Sequence, residues 1–487
     1  MKHSLIIMAF LLLVSSAEAQ TSKNNSIKPY MGFEVADCTD SVLYIGRHYR
    51  DELQLIDSMH RAAKQPLYAI KGSRPWIQRG IYALVRQDRK TVLTDFLIDD
   101  SQTFTVSGDA KMSAASIKVK DSKANELMYG YMAVQEAARH EADSLRKAGN
   151  EAALKTLSDR MVAYEREMDI KGKDNLFIQL VQACEPPDVP DSINDKAAYY
   201  RTHYWDPLFN SEVGSRRTEA QPSITNSSDL QLPISVLLYS PQLYNKMNVF
   251  FYGILYHADS DTITKELDRL MAQVGNDTAM ARYILQFIEP RYYRSTRNIG
   301  WDAVWCHIAE EYILKGRCPW MRESELYLTR QNYNRIRQSI IGSHGQELIM
   351  MDTTQIDSPE HWHSSHRFPQ RFVILWFWDP DCHHCQEQSA ELKVLYDSLL
   401  TAPYRPFEVY AVGYDSDVAK WRKYVREHDF RWVNVGGSNV NIDYQEAYNV
   451  HSTPTMIILN ERRDIIMNKV LPIKSLLKFL EDYEKSH

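Results

Sequence analysis

The segment Arg371 to Trp378, Arg-Phe-Val-Ile-Leu-Trp-Phe-Trp, constrains this chain more than any other. A strand with one wet face alternates apolar and polar residues. A near-continuous apolar run is expected where a strand is buried on both faces. From about Ile340 to the end, strand and helix patterns alternate around this run. Gln346 to Met351, Phe407 to Tyr414, Trp432 to Val435, Thr455 to Leu459 and Ile465 to Val470 read as strands. One helix opens at Cys382 and carries Leu392, Leu395 and Leu399 on one face. Two more run from Val418 to His428 and from about Ile473. Alternating β and α units imply an α/β domain over residues 341–487, with a central sheet covered on both faces.

The chain in front of this domain changes character once. Residues 28–118 contain short strand-like runs, such as Ser41 to Gly46, Leu67 to Ile70, Gly80 to Val85 and Thr103 to Val106, separated by Gly, Asp, Pro and Ser. They read as a small all-β domain, a sandwich in the simplest reading. From Ser122 the period becomes helical, and residues 120–340 read as a mostly helical region. Within it, Ser260 or Asp261 is a candidate cap for a helix ending at Val274-Gly275. Asp277 is a candidate cap for the next, to about Ile288. Gly214 to Asp229 reads as a long polar loop.

The N-terminus carries Lys2 and His3, an apolar run from Leu5 to Val14, and Ala17-Glu18-Ala19 before Gln20. This is the layout of a signal peptide over residues 1–19. The run is too short for a membrane span, which takes ~20 residues. With the leader removed about 468 of the 487 residues remain, enough for roughly three domains at ~150 residues each. A net charge of −6 argues against a nucleic-acid partner, which selects a basic face. Six cysteines in so long a chain do not make a disulfide framework. Cys38 and Cys184 stand alone. The helix Trp301 to Lys315 carries the chain ~15 Å beyond Cys306. That leaves Cys318 outside the ~7 Å that a bridge requires.

Cys382-His383-His384-Cys385 follows the buried strand and opens a helix. Unpaired N–H groups of a first helical turn, together with the helix dipole, favour thiolate over thiol. Cys382 is therefore expected to attack a partner disulfide. Cys385, one turn on, is placed to resolve the mixed disulfide. A protonated imidazole beside the site adds to the stabilisation of a thiolate. Zinc needs a second ligand pair. The available histidines, His361, His363 and His366, precede the apolar strand, which sets them roughly 25 Å from the cysteines. They read as a solvated loop, and no metal or other cofactor is implied. Ser452-Thr453-Pro454-Thr455 precedes another apolar strand. A cis proline there leaves the Thr453 backbone free to pair with an extended peptide.

Together, the strand Val373 to Trp378, Asp379-Pro380-Asp381-Cys382-His383-His384-Cys385 and Thr453-Pro454-Thr455 resemble thioredoxin-like proteins of the TlpA/ResA type, exported bacterial thiol–disulfide proteins. The resemblance implies Cys382 as nucleophile, Cys385 as resolving thiol and Pro454 as the cis proline facing them, with Thr453 and Pro454 receiving substrate. It places the protein in the periplasm or cell envelope of a Gram-negative bacterium. It implies as partners exported proteins bearing cysteines or disulfides, and a membrane thiol–disulfide electron donor or acceptor. A histidine before the second cysteine also resembles DsbA and protein disulfide isomerase, and marks His384 as the candidate third catalytic residue. Residues 28–118, and the segment from Tyr200 to Phe209 with the helices after it, resemble modules of unknown function found with such domains.

The chain departs from these patterns. Trp376 stands where thioredoxin has a buried Asp, and Gln388 and Ala390 stand where the TlpA/ResA type often has Glu and Pro. The proton acceptor for Cys385 is thereby open, with Glu387, Glu391 and His384 as substitutes. Asp381 opposes a thiolate at Cys382. The family leans towards a reductant and the histidines towards an oxidant or isomerase. A peroxidase calls for Thr where Asp379 stands. The alternative from another class is a non-enzymatic cell-envelope binding or scaffold protein with an accessory thioredoxin-like domain. Removal of the leader is expected after Ala19, so N-terminal sequencing of the cell-associated protein should begin at Gln20; an intact Met1 contradicts export.

Overall fold

The structure, a computed structural model, describes residues 30–63, 65–99, 101–172, 175–209, 234–294, 298–352, 361–414 and 417–486. The expected leader and the expected loop Gly214 to Asp229 lie outside the described residues. The chain divides into two compact units, Met1–His48 with Leu53–Ile178, and Tyr49–Glu52 with Gln179–His487.

The first part of the chain folds into β1 (Tyr30–Val35), β2 (Val42–Tyr49), β3 (Glu52–His60), β4 (Leu67–Lys71), β5 (Gly80–Val85), β6 (Val92–Ile98), β7 (Thr103–Gly108) and β8 (Lys118–Lys120). They form two four-stranded sheets, ordered β4-β1-β7-β8 and β3-β2-β5-β6. The sheets pack face to face, with Phe33 of β1 4.9 Å from Phe96 of β6. Two long helices follow, α1 (Lys123–Lys147) and α2 (Glu151–Lys171). Buried Asn125 ties α1 to β6. Its Oδ1 accepts the Leu97 N–H and its Nδ2 donates to the Leu97 carbonyl, each at 2.7 Å.

The helical region continues with α3 (Leu176–Cys184), α4 (Lys196–Thr202), α5 (Asp206–Phe209), α6 (Ile234–Leu238), α7 (Pro241–Asn248), α8 (Ser260–Val274), α9 (Thr278–Arg294), α10 (Trp301–Ile308) and α11 (Glu323–Ile336). Two details differ from expectation. The cap of α8 is Asp259, whose carboxylate accepts the Thr262 N–H at 2.7 Å, so both candidates named from sequence lie inside the helix. Helix α9 runs through Pro290 to Arg294 instead of ending near Ile288. Tertiary packing overrides the break: Ile288 is fully buried, Tyr292 is 2% exposed, and Trp305 donates its indole N–H to Glu289.

The C-terminal part comprises β9 (Ile349–Asp352), β10 (Trp362–Ser364), β11 (Phe372–Trp378), α12 (His383–Leu400), β12 (Phe407–Gly413), α13 (Val418–Glu427), β13 (Val433–Val440), α14 (Tyr444–Ala447), β14 (Thr455–Leu459), β15 (Ile465–Met467) and α15 (Ile473–Ser486). They build one seven-stranded sheet ordered β10-β9-β13-β12-β11-β14-β15. Of the histidines expected in a solvated loop, His363 lies instead in β10. His363 pairs with Met350 of β9, and its carbonyl accepts from buried Tyr410. His366 is half-buried and bonded to the Gly345 carbonyl.

Strand β11 lies at the centre, parallel to β12 and antiparallel to β14. All seven of its residues are fully buried. Phe372, Ile374, Trp376 and Trp378 join the core on one face, with Leu392, Trp421 and Leu476. Val373, Leu375 and Phe377 join the core on the other, with Tyr410, Val412 and Tyr448. Because β11 and β12 are parallel and β14 is antiparallel, one edge of the sheet gathers the ends of β11 and β12 and the start of β14. Phe377 pairs with Thr455 there, and Trp378 with Gly413.

Gly413 has a steric reason at that edge. A Cβ there meets the Trp421 ring at 2.8 Å. Trp421 in turn packs on Trp378, centroids 5.8 Å apart, and pins α13 to the sheet. Gly413→Ala is expected to cost about 1–3 kcal/mol by overpacking. The check is the urea midpoint followed by near-ultraviolet circular dichroism; an unchanged midpoint contradicts the packing account.

Candidate active site

The turn between β11 and α12 is built by its own polar groups. The Asp379 carboxylate accepts the Asp381 N–H at 2.6 Å, and the Asp379 carbonyl accepts the Cys382 N–H at 3.1 Å. Gln386 reaches back to the Pro380 carbonyl at 2.7 Å. Cys382 is then the N-cap of α12, with extended backbone, and its Sγ accepts the Cys385 N–H at 3.3 Å. A sulfur in this position takes the place usually held by a Ser or Asp oxygen, receiving one of the four unpaired donors of a helix start.

The second contact to this sulfur comes from 71 residues away. Cys382 Sγ lies 3.6 Å from the Thr453 carbonyl, to which the thiol donates. The Thr453–Pro454 peptide bond is cis, and Thr455 caps the turn by donating to the Ser452 carbonyl. The structure thus brings together Cys382, Cys385, Thr453 and Pro454.

The two thiols occupy different surroundings. Cys382 is partly exposed and Cys385 is fully buried, on the face of α12 that packs under Trp376 and Trp378. Burial, followed by the adjoining Cys382 thiol, pushes the Cys385 thiol up to about 12. Hydrogen bonding from the Asp379 backbone and from Thr453 pulls weakly the other way. All six cysteines are unbridged.

The histidines face water. His383 and His384 have side chains 80% and 82% exposed, and both turn to Glu387, His383 Nε2 at 3.2 Å and His384 Nδ1 at 3.4 Å. His384 and Glu387, two of the substitutes named for a proton acceptor, therefore sit on the solvent side of the first turn, opposite the buried Cys385. The position expected to lack a buried carboxylate is filled by a neutral pair, Trp376 Nε1 donating to buried Ser389 Oγ at 3.0 Å. A buried carboxylate does exist, Glu408. It pairs with Val373 at the far end of the sheet, five residues or ~16 Å from Trp378. There it accepts from Tyr396 at 2.8 Å and pairs with Arg405. Its burial raises its pKa, and its place in the sheet removes it from the cysteines.

Sequence reasoning missed Lys420, which stands in the first turn of α13 and pairs with Asp381 beside Cys382. Asp417 immediately before the helix signals a cap; no local pattern signals the partner 39 residues away. Among the described residues, no group of three or more His, Cys, Asp or Glu is placed to hold a metal, and no helix is long and apolar enough to cross a membrane.

A buried strand ending in a helix capped by the first Cys of a Cys-x-x-Cys, opposite a cis proline, is the geometry the resemblance implied. Residues 370–465 match the family model described as thioredoxin-like. This part of the chain is a thioredoxin-like domain. No protein of curated function matches the chain. Similar solved structures include a domain of a possible thiol-disulfide isomerase from Cytophaga hutchinsonii, 29% identical over 30% of this chain and 95% of that one, TM-score 0.26. A thioredoxin-like protein from Bacteroides caccae is 16% identical over 61% of this chain and 97% of its own, TM-score 0.45. A thiol-disulfide oxidoreductase from Bacteroides fragilis is 19% identical over 29% and 99%, TM-score 0.25.

The unequal burial of the thiols has a direct readout. Iodoacetamide on the reduced protein at pH 8 should modify Cys382 well before Cys385, with Cys385 approached only near pH 11–12. Peptide mapping checks this, and equal labelling at pH 8 contradicts the asymmetry.

Proposed function

We propose that this protein exchanges thiols and disulfides with exported proteins through its thioredoxin-like domain, in the manner of the TlpA/ResA type. The observation that carries the reading is the placement of Cys382 Sγ at the N-cap of α12, 3.6 Å from the Thr453 carbonyl, above a buried Cys385.

The thiolate of Cys382 attacks one sulfur of a substrate disulfide. A Cys382–substrate bond forms as the substrate S–S bond breaks, and the substrate's other sulfur leaves as thiolate and takes a proton from water. Cys385, once deprotonated, attacks Cys382 Sγ. The Cys382–Cys385 disulfide forms and the second substrate sulfur leaves. Two electrons and two protons from a membrane thiol–disulfide donor restore the dithiol; with a membrane acceptor the same steps run in reverse and oxidise the substrate. The Thr453 backbone, freed by Pro454, receives the extended substrate chain as an added strand. His384, in the first turn of α12, is the candidate third catalytic residue, its Nδ1 3.4 Å from Glu387. The export leader and the envelope location belong to the same proposal.

Two results test it. Cys385→Ala should accumulate mixed disulfides in cells that vanish with dithiothreitol, and Cys382→Ala should accumulate none; trapping by the second variant overturns the roles. Release of a preformed Cys382 mixed disulfide needs the Cys385 thiolate. The folded pKa is raised, so the reactive fraction is small at pH 7 and grows about tenfold per pH unit towards the thiol's raised value. A release rate flat between pH 7 and 9 contradicts an unassisted Cys385.

A further inference from the structure

Asp381 immediately precedes the nucleophile, and a carboxylate there opposes formation of a thiolate at Cys382. The structure answers this charge with another. The ammonium of Lys420 pairs with Asp381 Oδ1, although the two residues are 39 apart in sequence and on different elements. Lys420 is held in that place from both sides. Asp417 caps α13, its carboxylate accepting the N–H groups of Ala419 at 2.9 Å and Lys420 at 3.2 Å. Trp421, 1% exposed, is locked against Trp378 at the end of β11, and only a glycine at 413 leaves room for its ring. The same strand ends that deliver Cys382 therefore deliver the lysine. Near the same turn, the Asp379 carboxylate accepts the Asp381 N–H at 2.6 Å, and Glu387 pairs with His383 and His384.

We infer that Lys420 is a positioning residue for electrostatics: by offsetting Asp381 it favours the Cys382 thiolate, and so sets the redox equilibrium of the Cys382–Cys385 pair. The inference rests on the proposed exchange function. The half-reaction is disulfide plus two electrons and two protons giving two thiols, with the electrons drawn from glutathione in the measurement. Anything that stabilises the reduced form moves the equilibrium towards dithiol and makes the pair more oxidising. The pair is exposed, the side chains 54% and 67%, so the effect is modest and salt-sensitive.

The test uses the full-length protein in glutathione redox buffers, with the fraction of Cys382–Cys385 disulfide read by gel shift after alkylation. Lys420→Gln unmasks Asp381 and should shift the equilibrium about threefold towards disulfide, ~14 mV at 29.6 mV per tenfold. Asp381→Asn leaves the lysine charge unopposed and should shift it in the opposite direction. The double variant should return close to the parent, Lys420→Arg should keep the parent value, and the single-variant shifts should fade at 1 M salt, where the Debye length is ~3 Å. A merely structural pair predicts that Lys420→Gln and Asp381→Asn, which break the same contact, shift the equilibrium alike. That outcome, or no shift from Lys420→Gln, overturns the inference. If the parent protein forms no Cys382–Cys385 disulfide in any buffer, the exchange function itself fails, a different result from a normal disulfide that ignores Lys420.

Discussion

Strand β11 has no solvent face, and the rest of the C-terminal domain is arranged to keep it dry. Its even-numbered side chains enter one core and its odd-numbered ones the other, so both layers of helices are fastened to the same seven residues. Burying an aromatic or aliphatic side chain contributes about 1.5–3 kcal/mol, and six of these seven are large: Phe372, Ile374, Leu375, Trp376, Phe377 and Trp378. A strand held this way ends at a fixed point. The turn Asp379 to Asp381 hangs from that point, and the cysteine from the turn. The position of the turn is thus decided by apolar packing along the strand, and its own polar contacts then orient the sulfur.

The chemistry of the pair then follows from a difference in depth. Both cysteines belong to the first turn of one helix, yet one is partly open and the other fully buried in the core that holds Trp376 and Trp378. An enclosed thiol keeps its proton, and the buried carboxylate of Glu408 lies at the far end of the sheet from it. The neutral Trp376–Ser389 pair stands where a buried carboxylate is expected to be lacking, and Ser389 satisfies the indole N–H.

Much of this was legible from the amino-acid order. The unbroken run of β11, the helix opening at Cys382, and the strand from Thr455 to Leu459 appear in the structure where the pattern places them. Elements with weaker signals were not legible. Strand β3 is mostly exposed, and β10 is a three-residue edge strand, Trp362-His363-Ser364, set by pairing to β9. Helix α9 crosses a proline because its neighbours hold it. At the site, Cys382 and Thr453 could be named from motif spacing. The pairing of Lys420 with Asp381 could not, since it depends on where two strands end relative to each other. The front of the chain gave its class, β then α, without a chemistry.

The contact between Cys382 and the Thr453 carbonyl has a temporal side. A ribosome makes this chain from its N-terminus, and 71 residues separate the two partners. Until β14 has been synthesised and laid against β11, the helix start holding Cys382 has no opposing carbonyl. The reactive cysteine is completed by nearly the last strand of the protein. A partly made chain therefore carries the motif without the contact between Cys382 and Thr453.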